Sequence, residues 1–196
     1  MKPFCCLFII FFLALPAAAQ LPEELETRME KLGFQSEYWA TYIRMARLHN
    51  REDEIEMIID SRITFLLTLR KSCPSFQRDD IARYLYYSDL GLSAESLARV
   101  LNAKGSSPEI LQALNGFLSV AAGYLHADKE ELEALTEAFA IRNYSPGDLS
   151  LLTGVLKTLH GKDFGMKSGL RKQKLMALFR DGYSISFIKR QLEDLS

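Results

Sequence analysis

Three histidines, His49, His126 and His160, are the side chains best suited to move a proton or hold a metal near neutral pH. Their spacing does not gather them. No His-Glu-x-x-His pair sets two imidazoles on one helix face, as zinc hydrolysis needs. His126 and Glu130 are four apart, but Asp128 between them reads as a helix start and breaks the shared face. A serine nucleophile on a sharp strand-to-helix turn needs Gly-x-Ser-x-Gly, which the chain lacks, and it also lacks the Gly-x-x-x-x-Gly-Lys loop that cradles phosphates. The acidic stretch around Asp128 misses the alternating oxygen ligands and central glycine of a calcium loop. Asp79-Asp80 is a carboxylate pair, but Arg78 and Arg83 beside it suggest solvated charges at a helix start. No cofactor and no metal are expected. The remaining enzymatic option is a small helical hydrolase using Glu130, Glu131 or His160 outside any known motif.

Binding is the better-supported chemistry. Tyr38, Trp39 and Tyr42 form one aromatic group and Tyr84, Tyr86 and Tyr87 a second. Such residues belong either in a core or, if exposed, at the anchor points of a partner-binding groove. Charge supplies a second candidate surface. The whole chain balances 24 basic against 25 acidic residues, which makes no general case for nucleic acid. Between Gln20 and Asp60, however, there are 10 acids and 5 bases, and between Lys157 and Ser196 there are 9 bases and 4 acids. The basic end, led by Lys167, Arg171, Lys172 and Lys174, could meet anionic lipid or polymer. The same asymmetry also fits two solvated helix faces, or an acidic start that attracts a basic end.

The elements that must carry these residues read as a string of short helices. Gly91-Leu92-Ser93, Gly105-Ser106-Ser107-Pro108, Asn143-Tyr144-Ser145-Pro146 and Gly182-Tyr183-Ser184 each precede an apolar helical stretch, and Asp128 does the same before Leu132 and Leu135. Gly or Asn closes one helix, Ser or Asp caps the next, and Pro sits at a first helical position where its missing N–H costs nothing. Pro74 should stop the helix that runs through Ile59, Ile63 and Leu66. Nothing alternates with the two-residue period of a strand. The expected fold is all-α, about nine short helices in an irregular bundle or a degenerate helix-turn-helix repeat array. The caps at Ser93, Ser107, Asp128, Ser145 and Ser184 are unevenly spaced, whereas a strict solenoid shows a fixed period. Gly182–Leu192 and the Ala82-to-Gly105 stretch resemble the three-helix repeats of the RecX recombination modulators. The likeness lies in turn chemistry, covers less than half the chain and implies no shared function here.

The N-terminus carries an address. Met1-Lys2 is followed by an apolar run from Phe4 to Leu15, then Pro16 and Ala17-Ala18-Ala19. This is the pattern of a secretory signal peptide, 1–19, cleaved before Gln20. The run is too short for a membrane-spanning helix, which needs about 20 apolar residues. Cys5 and Cys6 leave with the signal, so Cys73 is the one cysteine of the mature chain and has no internal disulfide partner. It reads as a packed thiol, or else as the source of a bridge between chains. An N-terminal helical segment, 20–74, and a C-terminal repeat-like domain, 75–196, are expected to pack as one unit. Asn143-Tyr144-Ser145 matches a glycosylation sequon, weakened by Pro146. The expectation is an exported, periplasmic or extracellular module that binds a protein or peptide without catalysis. Docking on an anionic envelope surface is the alternative, and no nucleic acid is expected.

Overall fold

The computed structural model describes Thr27 and residues 55–195. The apolar run at 4–15, the cleavage pattern at 16–20, and Tyr38, Trp39, Tyr42 and His49 lie outside the described residues. The chain divides into two compact units, Met1–Ile63 and Thr64–Ser196. Helix α1, Ile55–Ser72, begins in the first and ends in the second, and within the first Ile59 and Ile63 are buried. As Pro74 suggested, α1 goes no further than Ser72.

The second unit continues with a 3-10 turn at Arg78–Asp80 and seven helices: α2 (Ile81–Asp89), α3 (Ala94–Lys104), α4 (Pro108–Leu125), α5 (Lys129–Ile141), α6 (Pro146–Asp163), α7 (Ser168–Asp181) and α8 (Ile185–Glu193). The fold is all-α, with no strand among the described residues. Local chemistry explains most helix starts. Ser93 Oγ accepts from Ser96 N at 3.3 Å and Ser107 Oγ from Ile110 N at 3.4 Å. Asp128 with Glu131, and Ser145 with Asp148, form reciprocal capping boxes. Pro108 and Pro146 take the first helical positions. Ser184 stands at the start of α8 but makes no cap, its Oγ lying 3.2 Å from Ser186 Oγ.

Packing follows a rule of next-but-one neighbours. Helix α3 lies on α5 and α5 on α7; α4 lies on α6 and α6 on α8. Two layers result, joined where α4 meets α5 and α7 and where α7 meets α8. Their facing sides are apolar: Leu97, Leu101, Leu114, Phe117, Phe139, Leu152, Leu156 and Phe179 are all buried. Each such side chain contributes about 1.5–3 kcal/mol of burial.

Within the first layer the helices run parallel, because pairs form in step along them. Glu133 of α5 accepts from Ser93 N at 2.8 Å, Glu137 from Arg99 at 2.6 Å, and Lys104 Nζ reaches Arg142 O at 2.6 Å. One rung then repeats: Lys104 donates to the carbonyl of Arg142, and Arg142 Nε donates to the carbonyl of Arg180 at 3.0 Å, both across 38 residues. The starts of the second layer keep nearly the same interval, Ser107 to Ser145 to Ser184. The spacing along the sequence is uneven because the caps of two interleaved layers alternate along the chain. Sorted by layer, the degenerate array has a period near 38 residues.

Candidate functional site

The second aromatic group is mostly interior. Tyr84 and Tyr87 have no exposed surface, and Tyr87 donates to Leu111 O at 2.6 Å. Tyr86 is half-buried, its hydroxyl 2.7 Å from Ser119 Oγ. Burial raises the phenol pKa of Tyr84 and Tyr87 above the usual 10.0. Tyr86 and Tyr87 hold α2 against α4, Tyr84 packs on Phe76 and accepts from Gln77 N, and the group presents little to a partner. Cys73 is also buried, its Sγ 3.2 Å from Ser75 Oγ. Asp80 departs from the solvated reading: it is buried and paired with Arg83, while Asp79 is exposed.

Two of the four basic candidates are committed internally. Arg171 is only 2% exposed and donates from Nη1 to Leu159 O at 3.3 Å, near the end of α6. Lys172 pairs with Glu131 at 2.8 Å and also reaches His126 O at 3.2 Å. That ion pair and the capping box both use the Glu131 carboxylate. Lys167 and Lys174 are half-exposed. Glu130 is exposed, and the His160 ring stacks on Tyr124 with centroids 4.3 Å apart. Among the described residues, no three His, Cys, Asp or Glu side chains converge as metal ligands.

What the sequence reading missed is the break between α6 and α7. Four residues, Phe164-Gly165-Met166-Lys167, connect these helices. Phe164 closes α6 with φ 53° and ψ 31°, a left-handed position normally given to glycine. Gly165 follows at φ +79°, and a Cβ there would meet His160 Cε1 at 2.8 Å. The turn therefore presses its backbone onto the His160–Tyr124 stack and throws its neighbours outward. Phe164 is 88% exposed, Met166 82% and Leu170, one turn into α7, 57%. Lys162 and Lys167 flank this tip, and Lys174 lies one turn beyond Leu170 on the same helix face. From Leu149 to Arg180 there are seven Lys or Arg and one acid, Asp163. Phe164 and Met166 in a Gly-containing stretch between Lys162 and Lys167 were the available signal.

Beside the turn runs a shallow groove of about 420 Å³ between α6 and α8. Leu151, Gly154, Val155 and Thr158 form its floor on α6, with Lys162, Lys189 and Glu193 at the rim. Leu151 is half exposed, and Lys189 lies 3.9 Å from Glu193. The groove offers an apolar floor with charged edges, which suits a side chain or short segment of another chain. No family model, curated protein or solved structure matches this chain.

Proposed function

We propose that this chain is an exported, non-enzymatic scaffold that holds a protein or peptide partner on the outer face of its second helix layer. One observation carries the reading: the next-but-one packing that sets α4, α6 and α8 side by side and leaves the α6–α8 groove open along that layer. Stacked helical units of this kind bury their cores between neighbours and keep extended faces free for recognition. Export rests on the apolar run and Ala17-Ala18-Ala19 at the N-terminus, and no helix among the described residues is long and apolar enough to cross a membrane.

The test places a photo-crosslinking residue at Leu151 in the protein as its own cells produce it. A discrete crosslinked partner, lost when Val155→Trp fills the groove, is the expected result. N-terminal sequencing of the same sample should begin at Gln20. Crosslinks that are diffuse, or that survive Val155→Trp in a protein of unchanged melting temperature, would remove the groove from consideration.

A further inference from the structure

We propose that the α6–α7 turn is a membrane-docking element: Phe164 and Met166 enter an anionic phospholipid surface while Lys162 and Lys167 meet headgroup phosphates. This surface adjoins the α6–α8 groove, sharing Lys162 at its rim, and goes beyond the scaffold reading.

The first argument is the direction of the side chains. A folding chain places large apolar side chains inside unless something prevents it, and the turn that leads into α6 does bury its Tyr144. At this turn the backbone takes the inner position and the two largest apolar side chains stand 88% and 82% exposed. Leu170 extends the patch along α7 at 57% exposure. The second argument is that the display is rigid. Left-handed geometry at Phe164 and Gly165, and the close approach of Gly165 to the ring of His160, fix the turn on the Tyr124 stack. A bulky residue held at φ 53° is a local cost that only the surrounding structure can maintain. Below the turn, buried Arg171 ties α7 to the α6 carbonyl of Leu159.

The third argument is charge. Asp163 is the one acid between Leu149 and Arg180. The helix beginning here, α7, has Lys167 at its cap position, no acid in its first turn and no side-chain cap. An anion is favoured beside such a start. Lysines alone would suit any polyanion. The apolar tip selects among polyanions, because only a bilayer offers a hydrocarbon layer directly beneath a layer of phosphate.

The experiment is cosedimentation with vesicles of equal parts phosphatidylglycerol and phosphatidylcholine, with pure phosphatidylcholine vesicles and soluble polyglutamate alongside. The protein is taken as the producing cell delivers it, and all forms share one N-terminus. Wild type should partition onto the anionic vesicles. Phe164→Asn with Met166→Ser keeps a residue that tolerates the left-handed position and should weaken partitioning roughly tenfold or more. Lys162→Gln with Lys167→Gln should weaken it and flatten its salt dependence. In Phe164→Trp, brominated lipid should quench the added fluorescence. Absence of wild-type binding overturns the proposal. So does a Phe164→Asn/Met166→Ser protein that folds and binds like wild type, an unquenched Trp, or full competition by polyglutamate with no effect of the tip variant.

Discussion

Two four-residue turns on either side of α6 solve opposite problems. Arg142-Asn143-Tyr144-Ser145 leads in from α5, and Phe164-Gly165-Met166-Lys167 leads out to α7. In the first, extended backbone at Arg142 and Ser145 turns the aromatic residue inward. Tyr144 stacks on Phe179 at 4.3 Å and its hydroxyl lies 2.8 Å from Tyr183 O and 3.1 Å from Phe179 O. Ser145 caps, Arg142 spans to Arg180 O, and Lys104 donates to Arg142 O and Tyr144 O. In the second, left-handed backbone turns the aromatic residue outward, and Lys167 provides no side-chain cap. Both turns carry a large aromatic ring. Whether it joins the core is decided by the backbone conformation beside it and by what already fills the space below. The inward turn is a joint between repeats, and the outward turn is built for display.

The comparison is tested hardest by attacking the buried phenols, Tyr144 of the inward turn together with Tyr84 and Tyr87 of α2. Burial raises the pKa of Tyr84, Tyr87 and Tyr144, while an unfolded tyrosine ionises near 10.0. Below that pH both states keep the proton and stability is fully present. As the pH rises beyond it, the unfolded chain releases protons that the folded chain retains, so stability falls. Urea midpoints should hold level to about pH 10 and then drop, with a shallower drop in Tyr144→Phe. A level midpoint through about pH 11 would mean these rings are not sealed. Next in size is Phe179→Ala, which removes the ring touching both Tyr144 and Phe117. It should cost about 3–5 kcal/mol in denaturant unfolding. A cost under about 1 kcal/mol would show that the seam repacks freely.

How far the sequence could be read follows the same division. Ser93, Ser107, Asp128 and Ser145 announced their helices because each obeys local capping chemistry, and Pro108 and Pro146 reinforced two of them. The α6–α7 break stayed hidden because Phe164 occupies a glycine position and Lys167 a serine position. Burial was also illegible at single residues. Lys167, Arg171, Lys172 and Lys174 look alike in sequence, yet Arg171 is interior and Lys172 is paired, since helix phase against α5 and α6 decides it. The array's period was present in the numbering, but only the packing shows which caps belong to which layer.

Smaller effects sharpen the contrast. Gly165→Ala forces a Cβ against His160 at a left-handed φ and should cost about 2 kcal/mol, accompanied by loss of the His160–Tyr124 stack. A large shift in the His160 ring resonances by NMR would report that loss directly. Tyr144→Phe keeps the stacked ring and removes only the hydroxyl, so about 1 kcal/mol is expected in urea unfolding at neutral pH. If Tyr144→Phe proves as costly as Phe179→Ala, the hydrogen bonds rather than ring packing hold the joint.

The smallest effect is expected at the most conspicuous residue. Phe164 buries almost nothing, so replacing it forfeits little hydrophobic stabilisation. Its left-handed backbone costs a bulky L-residue about 1–2 kcal/mol, and glycine removes that cost while adding up to about 1 kcal/mol of unfolded-state entropy. Phe164→Gly should therefore leave stability unchanged or raise it by up to about 1 kcal/mol, measured by thermal melting. For an average core phenylalanine the sign is opposite and the size several-fold larger. A destabilisation above about 2 kcal/mol would mean that the ring packs on the protein after all, and the two turns would then differ in geometry but not in purpose.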